Sequence, residues 1–247
     1  MKKILLPLIL LGIFSALCIT QIGAWDAEKE LKFTETRTIS KFNSIRVSSI
    51  FDVYISPGNS SELKIRSTHN LAILNKIKTD VVNGELIISF KDANSETRKN
   101  NFRDLQIKIY VSTDKINMIK ASGASDIYSN GLLNADNLEI CASGASDVNL
   151  NVVVKGTVKC VASGSSDIIL LGNADSGDIK ASGASDVDCK KFPLKSVKAV
   201  ASGSSDIYLN VLEKLDVTAS GASDIFYIGN PQITNCSSSG SSEINHR

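Results

Sequence analysis

Seven acidic residues, Asp126, Asp147, Asp167, Asp186, Asp206, Asp224 and Glu243, recur at intervals of 21, 20, 19, 20, 18 and 19 residues, each directly after a serine. Carboxylates brought into one file could hold cations, exchange protons with a substrate, or accept hydrogen bonds from hydroxyl and main-chain donors. At a separation of roughly 5 Å, neighbouring carboxylates repel by under about 1 kcal/mol in water and by several times more at an effective dielectric near 20. Such a file must therefore face solvent and accept hydrogen bonds from the adjoining serines and backbone, or hold something cationic. Calcium ladders of the nonapeptide type are glycine-rich at about half this period. The expectation is a hydrogen-bonded file with no cofactor, with calcium as the alternative. Catalysis of the kind seen in polysaccharide-cleaving β-helices requires one face where repeat symmetry is broken into a cleft. Here the acidic file is almost monotonous, and the two histidines, His69 and His246, are expected to fall outside the repeats.

The acidic residues belong to a heptapeptide, Ala-Ser-Gly-Ala/Ser-Ser-Asp-Ile/Val, which begins at 121, 142, 162, 181, 201 and 219, with a softened copy, SSGSSEI, from 238. Its glycines, Gly123, Gly144, Gly164, Gly183, Gly203, Gly221 and Gly240, mark a place where the chain must turn. Glycine enters positive φ without a Cβ penalty, and flanking serine and aspartate side chains bond nearby main chain, so Ser-Gly-x-Ser-Asp reads as a fixed corner.

On either side of the corner the residues alternate with period two, as in a strand that buries one face. Four places before the glycine stand Ile119, Ile140, Cys160, Ile179, Ala199, Val217 and Cys236. Six before it stand Asn117, Leu138, Val158, Gly177, Val197, Leu215 and Thr234, and between these two columns lies a mostly polar one. After the corner, Ile127, Val148, Ile168, Val187, Ile207, Ile225 and Ile244 form a further apolar column. A unit of two short strands and a loop cannot close a core alone. Stacking the units lets each strand pair in parallel with its equivalent, while like residues fill a narrow interior. The predicted fold is all-β: a single-stranded β-helix, or β-solenoid, with rungs of about 20 residues. A leucine-rich repeat would need its leucine ladder, and a β-propeller a repeat about twice as long.

The chain opens with Lys2 and Lys3, an apolar run over 4–19, and Ile22-Gly23-Ala24 before Trp25. This reads as a secretory signal peptide over 1–24, cleaved near Ala24, with lipidation at Cys18 as the alternative. An exported protein at the periplasm, outer-membrane surface or outside the cell follows, with no transmembrane span after signal removal. The mature chain would carry 25 basic against 26 acidic residues. That balance offers no electrostatic case for binding nucleic acid. Cys160 and Cys236 lie four rungs apart, about 19 Å at strand spacing and beyond the ~7 Å Cα separation a disulfide spans. The cysteines are expected as small core filler.

Residues 25–113 carry a blurred version of the pattern and read as an irregular N-terminal part of the same solenoid, followed by regular rungs over 114–247. The segment 47–53, VSSIFDV, imitates the motif, and Pro57-Gly58-Asn59 reads as a turn. A strand is expected over 63–67, one or two helical turns within 70–77, and a hairpin at Asn83-Gly84. The polar stretch 93–101 reads as a loop. The strand at 105–111 is expected to lead into the first full rung.

A leader peptide, FDVYI, the hairpin IKTDVVNGELIISF, LQIKIYVS and the recurring ASGASDI units together resemble the bacterial autotransporter-adhesin head domain, the GIN or DUF2807 family common in Bacteroidetes, over 32–244. The resemblance implies a right-handed β-helix at the cell envelope or surface. Neither a translocator barrel nor a sortase-type anchor follows Arg247, so delivery other than by autotransport is expected. On this reading the solenoid is an adhesin or binding scaffold for a glycan or surface protein, with Tyr128, Tyr208 and Phe226, two places after the acidic file, as candidate contacts. The alternatives are a pectinase-like polysaccharide-acting enzyme and a lipid-binding envelope protein. Homo-oligomerisation through the solenoid ends is a further expectation.

Overall fold

The computed structural model describes residues 31–91 and 105–247. The leader read over 1–24, with Cys18, and the loop at 93–101 lie outside the described residues. The strands are β1 Phe33–Thr38, β2 Ser44–Ser49, β3 Asp52–Pro57, β4 Glu62–Ser67, β5 Ile77–Val82, β6 Glu85–Phe90 and β7 Ile107–Thr113, with one short helix, α1 Leu71–Leu74. There follow β8 Met118–Gly123, β9 Asp126–Ser129, β10 Leu133–Ala135 and β11 Leu138–Gly144. The remaining strands are β12 Val148–Gly164, β13 Ile168–Gly183, β14 Val187–Gly203, β15 Asp206–Gly221, β16 Asp224–Ile228, β17 Gln232–Gly240 and β18 Glu243–His246.

The repeats form a β-solenoid. Each rung pairs in parallel with the next, and the motif glycines lie in register, Gly144 on Gly164, then Gly183, Gly203, Gly221 and Gly240. Rungs have three runs, where the sequence suggested two strands and a loop. In the first rung these are β9, β10 and β11, which pair with the start, middle and end of β12. Val152, Val154, Phe192, Leu194 and Val211 are buried along the extra run. Its composition and length vary from rung to rung, so no repeated column announces it. The core adjusts locally as well: a Cβ on Gly177 would lie 3.2 Å from Leu194 Cδ1, so a leucine from the next rung fills the space that the missing side chain leaves.

Three positions expected in the inward columns point elsewhere, at the first and last of the regular rungs. Asn117 is exposed, its Oδ1 accepting from Ser44 Oγ at 2.6 Å. In the last rung the register shifts, so that Ile233 faces Leu215 and Asn235 faces Asp216. Thr234 is thereby left as a bulge. That rung is one residue longer than its predecessor, and the bulge absorbs the extra residue. Cys236, expected as core filler, is exposed, as is every residue of β17, because no described strand covers that side. Cys160 and Cys189 are buried, and burial pushes both thiols far above their ordinary range.

The N-terminal strands stack in an order the chain does not follow. The strand β2 pairs in parallel with β8 on one side and β6 on the other, and β3 pairs in parallel with β9 and β7. The β2–β3 rung is thus inserted between β6–β7 and the regular rungs. The expectation that 105–111 feeds the first full rung holds along the chain but fails in space, since β3 separates β7 from β9. Beyond this layer pairing becomes antiparallel: β5 on β6, β4 on β7 and β1 on β4. The hairpin at Asn83-Gly84 is present, with φ of 52° and 78°. Between β1 and β5, which do not pair, Arg37 donates to the main-chain oxygens of Leu74 and Ile77 at 2.7 Å each, to Thr79 Oγ1 at 3.0 Å and to Glu35. This one side chain ties the two outer strands across the end of the solenoid.

Candidate functional site

The corner ladder uses most of its own polar groups, although the Oγ of Ser125, buried in the first corner, has no hydrogen-bond partner among the described residues. Each motif glycine has positive φ, 77–85° from Gly123 to Gly240, and a Cβ on Gly144 would stand 2.6 Å from Gly123 O. Glycine is required there by the backbone angle and by the rung beneath, although its own surface is exposed. The serine before each aspartate is buried from Ser125 to Ser223. In Ser146, Ser166, Ser185 and Ser205 the hydroxyl donates to the main-chain oxygen three residues back at 2.8–2.9 Å and accepts from the same residue's N–H.

The acidic file is held by main chain, and the serines turn inward instead of serving it. Asp126 Oδ1 accepts from Asp147 N at 3.1 Å, and the pattern repeats through Asp147, Asp167, Asp186, Asp206 and Asp224, ending on Glu243 N at 2.9 Å. One oxygen of each aspartate therefore accepts the N–H of the next rung's acidic residue. No group of three or more metal-ligating side chains occurs among the described residues. Asp52 extends the file on the inserted rung, in register with Asp126. Burial, with the Asp126 charge beside it, raises the Asp52 pKa.

Next to the acidic file runs an outward row whose register is continuous from Lys64 through Tyr110, Tyr54 and Tyr128, and on past Asn149 to Tyr208 and Phe226. The three candidate aromatics separate into two groups. Tyr208 and Phe226 stack at 5.1 Å, with Lys190 Nζ 4.4 Å from the Tyr208 ring and the Arg247 guanidinium 3.9 Å from that of Phe226. Each ring of this pair therefore already has a cation against it, and the Arg247 guanidinium also stands 6.0 Å from the Tyr208 ring. Tyr128 stacks on Tyr54 at 5.3 Å, which stacks on Tyr110 at 5.1 Å. Tyr128 donates to Asp126 Oδ2 at 3.3 Å, and burial together with the Asp126 and Asp52 carboxylates raises its phenol pKa.

His246, expected outside the repeats, is in the last rung: β18 places it opposite Tyr227, stacked at 4.9 Å, with Nε2 2.7 Å from Gly229 O. The short tail is the same post-corner run that every rung makes. His69 lies beyond β4, its Nδ1 3.1 Å from Thr68 Oγ1.

Sequence reading missed Tyr54 and Tyr110 as surface aromatics. Their signal was present in the alternation of FDVYI and IKIYV, but the register that stacks them depends on the inserted rung. Tyr110 lines an open groove of about 640 Å³ on β1, β4 and β7, together with Lys64, Arg66, Glu62 and the hydroxyls of Ser56 and Ser112.

The profile of the family described as "putative auto-transporter adhesin, head GIN domain" matches residues 41–231. The chain belongs to the GIN-domain (DUF2807) family. No curated protein matches this GIN-domain chain. Among solved structures it is similar to a putative adhesin from Bacteroides fragilis NCTC 9343, at 23% identity and TM-score 0.77, over 87% of this chain and 96% of that one. A putative lipid binding protein from Parabacteroides distasonis ATCC 8503 matches at 18% identity and TM-score 0.67, over 87% and 96%. A putative adhesin from Parabacteroides merdae ATCC 43184 matches at 20% and 0.65, over 87% and 95%. At these identities the likeness establishes the shared fold. The GIN-domain match contains the inserted rung and the corners from Gly123 to Gly221, while β1 and β17–β18, with the Gly240 corner, lie outside it.

Proposed function

We propose that this GIN-domain protein is an exported binding scaffold, an adhesin of the cell envelope or surface, that presents its solenoid face to a glycan or protein. The observation that carries this reading is the outward row beside the acidic file, in which aromatic, hydroxyl and charged side chains are held at rung spacing by a rigid backbone. Contacts along such a row are distributed, so affinity arises from several weak engagements at once. Export rests on Lys2, Lys3 and the apolar run that follows. Adhesin-family membership supports a surface or exported location. No helix among the described residues is long and apolar enough to cross a membrane.

The non-enzymatic reading is supported by the state of the carboxylates, each aspartate of the file having one oxygen engaged by main chain. The same bonding favours a ladder that needs no cation. A lipid-binding role takes its support from the name of one structural neighbour, but the described grooves of this chain are lined largely by Ser, Thr, Lys and charged residues, which suits a polar ligand better. A glycan and matrix-protein array, run with and without calcium, tests the proposal. Saturable binding that calcium leaves unchanged is the expected result; release of oligosaccharide fragments would establish the enzyme reading instead. Sequencing the N-terminus of the exported protein tests cleavage near Ala24.

A further inference from the structure

We propose that the groove on β1, β4 and β7 is a binding site for an acidic saccharide, a pyranose chain bearing carboxylates. This inference rests on the adhesin reading and gives it a location and a ligand chemistry. Three observations converge on it. First, Tyr110 ends the three-ring stack: Tyr54 covers one of its faces, no other ring is stacked on the opposite one among the described residues, and the residue lines the groove. The strand neighbour on that side is Lys64, not a ring, and a half-buried ring that lines a groove receives the C–H side of a sugar. Second, Lys64 lies directly across the strand pair from Tyr110, is exposed, and forms no ion pair among the described residues. Arg66 follows two places along the same face of β4, its Nη2 donating to Leu31 O at 3.3 Å, and forms no ion pair among the described residues. Third, Ser56 and Ser112 pair across β3 and β7 and supply hydroxyls to the same groove.

The combination selects the ligand class. With Glu62 also lining it, the groove carries two cations against one carboxylate; a neutral sugar would use the ring and hydroxyls but leave that excess of positive charge unmatched, and a simple polyanion would use the cations but not the ring. A carboxylated pyranose engages both, its acid group on Lys64 and Arg66 and its ring on Tyr110. Elsewhere on the row the rings cannot play this part: cations already cover the Tyr208–Phe226 pair, and Tyr128 faces Asn149 in the next rung.

Calorimetric titration of the protein with hexagalacturonate, its methyl ester and polyglutamate tests the site. Binding of hexagalacturonate at least tenfold tighter than of the ester and of polyglutamate is expected, weakening as salt is raised. The Lys64→Gln variant should lose at least fivefold with an unchanged melting temperature, Tyr110→Phe should bind as the parent does, and Tyr110→Ser should lose binding. Equal affinity for acid and ester, equal affinity for polyglutamate, or full binding by Lys64→Gln would each overturn the site. Absence of hexagalacturonate binding would do the same. The adhesin reading would fall separately, only if the array of glycans and matrix proteins also stayed blank.

Discussion

At Gly183, φ of +85° and the carbonyl of Gly164, 2.7 Å from where a Cβ would sit, make the same demand for glycine. An L-residue in that backbone region costs about 1–2 kcal/mol, and the contact with fixed main chain adds to it. Gly183→Ala is therefore expected to lower stability by about 3 kcal/mol in urea unfolding, a large effect for a surface-exposed methyl. Ser49 is the opposite case. It occupies the glycine position of the inserted rung, in register with Gly123, and holds φ of 107° with a side chain attached. Ser49→Gly should raise stability by about 1 kcal/mol, seen as a higher melting temperature, since the strain removed outweighs the added freedom of the unfolded chain. An unchanged or lower melting temperature would mean that contacts of the serine compensate its backbone angle.

Among elements, the ladders show two ways of stacking charge. The row Glu139, Lys159, Asp178, Lys198, Asp216 alternates in sign from rung to rung, with Lys159 Nζ 2.9 Å from Glu139 Oε1. Exposed pairs of this kind contribute little each, but in alternation they penalise a slipped register. The corner file keeps one sign because main-chain donors hold it. The cap depends on a different device, the Arg37 link between β1 and β5. Arg37→Ala should cost about 2 kcal/mol, because two main-chain acceptors and a carboxylate lose a charged donor together. Hydrogen exchange should quicken in β1 and β5 and stay slow in β13 and β14. The Arg37 hydrogen bond lowers the Glu35 pKa in the folded state. Its stabilising contribution is then complete above the unfolded value, near 4.3, and is lost as pH falls through the lower folded value. Acid should loosen β1 and β5 before the rungs, and Arg37→Ala should flatten that pH dependence.

For the whole molecule, the two ends of the stack differ. One is closed by antiparallel strands and the Arg37 link. The other presents β17, exposed along its length, with Ile233 at 49% exposure. An uncovered strand edge is a template for another strand, and with the other end capped the strand available to it is β17 of a second copy, running antiparallel across a two-fold axis. Because only one end is open in this way, pairing should close as a two-fold dimer and stop short of a fibre. Sedimentation should show concentration-dependent dimerisation that Ile233→Lys abolishes. A monomer at every concentration, in parent and variant alike, would exclude the contact.

Repeat spacing and period-two alternation were enough to specify stacked rungs, the inward columns and the glycine corners, because each depends on interactions repeated at a nearly constant interval along the chain; the hairpin at Asn83-Gly84 was legible from its own two turn residues. The acidic file was legible as a file, but its partners were not: the donors are main-chain N–H groups of the neighbouring rung, which have no signature in residue type. The third run of each rung stayed hidden since its length varies, and so did the insertion of β2–β3 between β7 and β9, which brings Tyr54 between Tyr110 and Tyr128. Chain order says nothing about such an insertion. Only strand pairing in three dimensions decides which rows meet, and with them where the Tyr110 ring, Lys64 and the exposed end are found.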